Sequence, residues 1–449
     1  MGAVHSWCRS VPEASRIEIF VKGTGSEEST FPASDLPHRA LYQTTALCLN
    51  DEAVYGNGTF GVVSRSCEKS MHDELVSRTV AVKRSSRVKE HESLQNERAI
   101  LATIDHPHIV KLYGFVPTDA GPVWQMMEDC PGGELYSLIA TKGALPDATA
   151  ATYFRQVLTA LNHLHTVMKI VHRDLKPENI LMTQDRRRVK LCDFGTAAIL
   201  APVRGSKASG RIGSLSYAAP EVYSSSQADF SSDMWSAGVL LYVMCCASSP
   251  FRCSEDKDPE KETVERVKRG EINKNRDKWK QISVGPKKLI LSLLQLDSSR
   301  RLTAGQALSN SWLKQGRRIS GSVQPETLEA LKKFAAIEDD QVLRAWRAIG
   351  SQLNECEEAS DAFELLDKDL DGIIGFNDLS LTDYPVDTLR TCYTYSEVVA
   401  ALIFVLPLEK KDTKVRATLP FAYEAFGGLD TGIEFAKYKE IIICPPPIN

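Results

Sequence analysis

The chain has 449 residues, enough for two or three domains, and its 43% apolar and 25% charged residues are ordinary for a globular protein. A net charge of -4 gives no hint of nucleic-acid binding, and the 11 cysteines, odd in number and without a CxxC pair, argue against a disulfide framework and for a reducing, cytosolic setting. The longest apolar runs, 237–247 and 398–408, are too short to cross a bilayer.

Residues 1–50 mix Ser, Thr, Pro and Gly with little periodicity and are expected to form a flexible arm. The arm opens Met1, Gly2, Ala3, Val4, His5, Ser6, which fits the pattern for myristoylation of Gly2, and Cys8 is placed for a second acyl chain. One myristoyl chain anchors only marginally, so Cys8 matters for stable attachment. The expected location is cytoplasmic and membrane-associated, on the cytosolic face.

The block 51–313 carries a series of phosphate-handling signals. Gly56, Gly58 and Gly61, with Val63 after them, fit G-x-G-x-x-G-x-V, a hairpin whose backbone approaches phosphates where a Cβ would clash. Val80, Ala81, Val82 and Lys83 follow at the distance of a neighbouring strand, and Lys83 is expected on the α- and β-phosphates. Glu97 is the first candidate to hold that lysine, and Glu92 the alternative. Further on, His172 to Asn179 read HRDLKPEN, and Asp193, Phe194 and Gly195 read DFG. Phosphoryl transfer needs a base for the attacking hydroxyl, two Mg²⁺ ligands and a cation near the moving phosphate. Asp174 supplies the first, Asn179 and Asp193 the second, and Lys176 the third.

These strings together resemble the catalytic domain of protein kinases, and Lys176 after Asp174 resembles the Ser/Thr branch. The resemblance implies ATP and Mg²⁺ as cofactors. It makes Met127 the side chain at the back of the pocket, and Glu128 and Cys130 the hinge residues that offer backbone groups to adenine. Arg301 is expected to pair with Glu221, and 232–239 to form the buried central helix. Arg173 marks a kinase of the type often controlled by a phosphate on the segment between Asp193 and Glu221. Ser206, Ser209, Ser214 and Ser216 lie there, but the usual position falls on Gly210, which has no hydroxyl; Ser209 is the substitute, and the departure favours control from elsewhere in the chain. Glu134 and Glu178 match the carboxylates that bind an Arg upstream of the target (position -3) in basophilic kinases, which fits bidentate recognition of guanidinium. The alternative for Glu134 is a hydrogen bond to the ATP ribose.

A junction, 314–350, begins basic and polar. Pro325 then opens an amphipathic helix with Leu328, Leu331, Ala335 and Ile337, and a second helix carries Val342, Leu343, Trp346 and Ile349. Beyond about residue 338 carboxylates outnumber Lys and Arg, which suits cation capture or docking on a basic surface. In 351–449, residues 367–378 fit the EF-hand loop. Asp367, Asp369 and Asp371 take the first, third and fifth positions, Gly372 the turn, and Ile373 the backbone carbonyl position. Ile374 is expected to pair with a partner hand. Asp378 replaces the Glu that usually ends the loop, so Ca²⁺ affinity is expected to fall and Mg²⁺ to compete better. The stretch 393–401 reads as the second half of a damaged hand without an ion, and 425–435 as a third remnant.

Kinase, amphipathic junction and EF-hand tail, in that order, resemble the calcium-dependent protein kinases of plants and protists. The resemblance implies an α+β, bilobal kinase fold followed by an all-α EF-hand-like regulatory region, with Ca²⁺ as a further cofactor and a contact between tail and kinase. By that analogy 318–340 is autoinhibitory, with Lys332 and Lys333 mimicking a basic substrate. That family carries several hands, and one intact loop is visible. Two rivals stand beside this reading. A pseudokinase scaffold would have lost a catalytic group, yet Lys83, Glu97, Asp174, Asn179 and Asp193 are all present. A calcium-independent kinase would use its tail as a structural or docking module.

Overall fold

The computed structural model describes residues 42–43, 47–58, 61–69, 77–84, 88–116, 124–200, 208–209, 214, 216–225, 227–252, 259–275, 277–316, 324–337, 340–353, 357–375, 378–379, 392–404, 418–426 and 438. Gly2, Cys8, Ser206, Gly210, the basic junction 317–323 and most of the third remnant, 427–435, lie outside them.

Six strands form the first layer: β1 (Tyr42–Gln43), β2 (Leu47–Gly58), β3 (Gly61–Lys69), β4 (Ser77–Arg84), β5 (Leu112–Val116) and β6 (Trp124–Met127). Their order is β1-β5-β6-β4-β3-β2. Pairing thus starts before Asp51, because β1 adds a parallel edge to β5 and Leu47 already faces Glu68 across the β2–β3 hairpin. Strand β4 is the centre of the sheet, and Val80 and Val82 are fully buried on one face. The register sets Lys83 opposite Val63 on one side and Gln125 on the other. Helix α1 (Val88–Leu101) covers that part of the sheet, and the Gln125 amide donates to the Leu94 carbonyl at its centre (2.5 Å).

The second layer is helical. Helix α2 (Asp147–Thr166) and helix α3 (Phe230–Cys246) are buried almost throughout, the second as expected of its apolar stretch. Asp229 starts α3 with a capping box: its carboxylate accepts from the Ser231 amide, and Ser232 bonds back to the Asp229 amide. The expected pair of Arg301 and Glu221 is present in bidentate form, at 2.8 and 3.2 Å, with the guanidinium over the Trp235 ring. This is the α+β, two-lobed kinase fold.

The tail adds helices α4 (Pro325–Ala335), α5 (Asp340–Gln352), α6 (Glu357–Leu366), α7 (Tyr395–Phe404) and α8 (Leu419–Phe426). Between α6 and α7, Ile374–Gly375 pairs antiparallel with Cys392–Tyr393, so Ile374 pairs as expected. Helix α7 packs against α4 and α5. Gly350 permits the closest approach, since a Cβ there would strike the Ser396 carbonyl. The apolar face of the tail shares one core cluster with Val80, Val82, Tyr113 and Met126, the back of the kinase sheet. Polar contacts flank that cluster. Arg78 and Lys111 donate to the carbonyls of Gln352 (3.0 Å) and Gly350 (3.3 Å), placing cations at the C-terminal end of α5. Arg78 is also sandwiched between the rings of Tyr113 and Phe421. Lower down, Glu364 takes Arg155 and His108 of the kinase, and Arg188 meets Asp361.

Candidate active site

The catalytic groups gather between the layers. Lys83 Nζ stands 2.7 Å from Glu97 Oε2 and 2.9 Å from Asp193 Oδ1. Glu97 therefore holds the lysine, and its other oxygen accepts from the Phe194 amide (3.0 Å). Burial opposes charge on Lys83, but the carboxylates of Glu97 and Asp193 outweigh it and raise its pKa. The same cation holds the Asp193 carboxyl below its usual range against the effect of burial. Arg173 and Asp193 both have left-handed backbones, with φ of 69° and 63°. The Asp233 carboxylate, at the start of α3, accepts the His172 and Arg173 amides (2.8 and 2.9 Å) and holds the first of these turns. The Phe194 ring is fully buried and meets His172 edge-on at 4.9 Å.

Asp174 is the centre of a second network. One carboxylate oxygen accepts from the Ser214 amide (3.0 Å) and hydroxyl (3.1 Å); the other lies 2.6 Å from Lys176 Nζ and 3.1 Å from Asn179 Nδ2. Lys176 also donates to the Ser214 hydroxyl at 3.0 Å. Ser214, grouped by sequence with the candidate phosphate acceptors, is instead part of the catalytic network. Asn179 spends its amide nitrogen on Asp174, so its amide oxygen is the atom left for a cation. With Asp193 this gives an all-oxygen pair of the kind Mg²⁺ takes.

At the hinge, the Glu128 amide donates to the Lys111 carbonyl (2.9 Å), and its carboxylate is paired with Lys190 (2.8 Å). The Cys130 carbonyl accepts from Gly133. Met127 is buried in register with Ala81. The Glu134 pKa is raised by burial and by the charge of Glu178, against the pull of Lys176. One Glu178 oxygen is buried without a hydrogen-bond partner.

The protein kinase domain profile matches residues 49–313. The chain belongs to the protein kinase family. It is similar to several calcium-dependent protein kinases. It is 31% identical to calcium-dependent protein kinase 3 of Plasmodium berghei over 335 residues, 73% of this chain and 58% of that protein. It is 30% identical to calcium-dependent protein kinase 10 of Arabidopsis thaliana over 331 residues, 72% of this chain and 59% of that protein. Calcium-dependent protein kinase 13 of the same plant is 28% identical over 428 residues, 92% of this chain and 78% of that protein. The chain thus spans about three-fifths of the length of the first two.

The acidic loop expected to be an EF-hand gathers three of its carboxylates. Ligand oxygens of Asp367, Asp369 and Asp371 lie within 4.8 Å of one another. Burial, then the neighbouring Asp371, pushes Asp367 up to about 8, and burial pushes Asp371 up to about 6. Crowded carboxylates of this kind fit a divalent cation that relieves their repulsion. Asp378 is committed differently. Its oxygens accept from the amides of Lys368 (2.7 Å), Asp369 (3.3 Å) and Gly375 (2.8 Å). The short side chain at this position closes the loop on itself rather than opening both oxygens to an ion.

Ile374 faces Tyr393 across the two-strand bridge, and this register makes Glu397 the last position of the second hand. There Arg347 of α5 binds it at 2.7 Å, so this carboxylate already has a cationic partner. Sequence reading missed this pair, although Thr394 and Glu397 carry a capping-box spacing, and the box forms at 3.0 and 3.4 Å. It also missed the docking of the calcium loop on α2. Asn162 donates to the Leu370 carbonyl (2.6 Å), and His163 bonds the Asp371 carbonyl (2.8 Å). Gly372, at φ 84°, lies flush on the rings of His163 and His106; a Cβ would come within 2.5 Å of His163 Nδ1.

Of the junction, 314–316, 324–337 and 340–350 are described. Helix α4 buries Leu331 and Phe334 in the tail cluster, Lys333 pairs with Glu329 at 3.8 Å, and neither Lys332 nor Lys333 is bonded to Glu134 or Glu178. The expected substrate mimicry is not present in this arrangement. Among the described residues, no helix is long and apolar enough to cross a membrane.

Proposed function

We propose that the chain is a Ser/Thr protein kinase that moves the γ-phosphate of ATP to a protein hydroxyl. The observation that carries this reading is the joining of two networks across one cleft: Lys83 between Glu97 and Asp193, and Asp174 among Ser214, Lys176 and Asn179. In this reading Asp174 orients the substrate hydroxyl and accepts its proton. Lys176 faces the transferring phosphate, and Lys83 fixes the α- and β-phosphates. The hairpin of Gly56, Gly58, Gly61 and Val63 covers the nucleotide, while Glu128 and Cys130 offer backbone groups to adenine. Asn179 and Asp193 would hold Mg²⁺, whose chemistry is to shield the phosphate charge.

The substrate is proposed to be basic before the target residue. Glu178 has a buried oxygen in need of a donor, and Glu134 is crowded by it; one guanidinium satisfies both. Glu178→Gln is expected to reduce the preference for an Arg-x-x-Ser peptide over Ala-x-x-Ser by roughly 10-fold, the worth of one charge-assisted hydrogen bond. An unchanged preference ratio would reject this subsite.

Calcium is proposed to act through Asp367, Asp369, Asp371, the Ile373 carbonyl and Asp378. Peptide phosphorylation is expected to rise on adding Ca²⁺ to chelated kinase, and Asp367→Ala to abolish the rise. A second reading has specific support: Asp378 is tied to backbone amides and Glu397 to Arg347, so the tail is held together by its own groups. Equal activity in chelator and in Ca²⁺ would favour that reading, a calcium-independent kinase with a docking tail. Membrane attachment through Gly2 and Cys8 is proposed on the motif alone. Gly2→Ala should move the protein out of the membrane fraction, and unchanged fractionation would argue against acylation.

A further inference from the structure

The β2–β3 hairpin shifts register twice, between Leu49 and Val54 and again between Val54 and Gly56. Val54 faces Ser64 and Gly56 faces Val63, so Tyr55 is the extra residue of a β-bulge just before the first glycine. Bulges re-aim a side chain, and they are common beside active sites. Here the Tyr55 ring is 47% exposed, yet its hydroxyl reaches Asp129 Oδ1 at 2.6 Å. Asp129 lies in the hinge, between Glu128 and Cys130. Its carboxylate is only 8% exposed, and Oδ2 takes Arg65 Nε at 3.0 Å. Arg65 belongs to β3. Both strands of the glycine hairpin are therefore tied to one carboxylate on the opposite wall of the nucleotide cleft. A short bond from a hydroxyl to a carboxylate is among the stronger hydrogen bonds, and it must break if the hairpin is to lift.

We infer that Tyr55 is a positioning residue, latching the glycine hairpin to the hinge through Asp129 and thereby setting how long an adenine nucleotide stays bound. The inference rests on the kinase reading of the cleft. It assigns Tyr55 no contact with the reacting atoms. The latch acts through Asp129 on the lid, so it slows nucleotide escape rather than the chemical step. Where escape of ADP limits turnover, loosening the latch raises KM for ATP without lowering kcat.

The test is displacement of a fluorescent ADP, in Mg²⁺, from the full-length chain, for wild type, Tyr55→Phe, Asp129→Asn and the double variant. Tyr55→Phe keeps the ring and removes only the hydroxyl. It is expected to raise the off-rate roughly 3- to 10-fold, a charge-assisted hydrogen bond discounted for exposure. On the Asp129→Asn background the same change should add little, because the partner is already altered. KM for ATP should rise in Tyr55→Phe while kcat stays level or increases. An unchanged off-rate in Tyr55→Phe, with wild type binding normally, overturns the latch alone. Full additivity in the double variant overturns the direct pairing. A wild-type chain that binds no labelled ADP overturns the nucleotide-site reading, and the latch with it.

Discussion

Asp174→Asn is expected to lower kcat by roughly 10²–10⁴-fold, the range attributed to a positioned proton acceptor, while labelled ADP still binds. The substitution keeps the shape of the side chain but changes what its atoms can do. One carboxylate oxygen accepts from Ser214 and the other from Lys176 and Asn179. An amide oxygen can keep one of these sets of donors; its nitrogen is then turned at the other set, donor against donor. If the nitrogen faces Lys176, the lysine loses its anchor as well as the site losing its base. Rapid-quench single turnovers with a saturating Arg-x-x-Ser peptide would measure the chemical step directly. A rate close to wild type would remove Asp174 from the mechanism.

Glu364→Ala should undock the tail from the kinase domain. Glu364 is buried, bonded to Arg155 and, at 3.2 Å, to His108. Its removal strands a buried guanidinium whose Nε already lacks a partner. Breaking one side of such a pair costs about 3–5 kcal/mol. Hydrogen exchange in α6 and α5 should accelerate by roughly two to three and a half powers of ten, since about 1.4 kcal/mol is one power of ten. Unchanged protection would mean that the apolar cluster alone holds the tail.

The same contact has a defined acid limit. Against the effect of burial, His108 and Arg155 hold Glu364 down at about 2. A depressed carboxylate stabilises the docked state fully above its unfolded value of about 4.3, and the contribution is lost as pH falls from there toward the folded value. His108, lowered by burial, adds a loss of the same sign as pH drops below about 6.5. Docking followed by exchange should therefore weaken monotonically on acidification.

The catalytic cleft was legible because its chemistry is written in short strings. Lys83, Asp174, Asn179 and Asp193 lie in motifs whose spacing is fixed by a hairpin, a loop and a strand turn. The gathering of Asp367, Asp369 and Asp371 was legible for the same reason, down to the pairing position at Ile374. The contacts joining the tail to the kinase are of another kind. Asn162 with Leu370, Arg155 with Glu364 and Arg347 with Glu397 are distant in sequence, and each member alone reads as an ordinary helix residue. The bulge at Tyr55 was equally hidden, since it depends on how two strands register. The part of Ser214 was hidden as well, since a serine in that segment carries no sign of a hydrogen bond to Asp174.

Arg347 has a consequence for how a calcium signal would be read. On the proposed calcium reading, Glu397 is already neutralised by Arg347, so the cluster of Asp367, Asp369 and Asp371 would be the one described site to respond to the ion. Steepness in a dose–response curve comes from sites that load together. With one such site the curve is a plain saturation, without a threshold. Output then follows the height of a calcium pulse, a rheostat where a ganged set of hands would give a trigger.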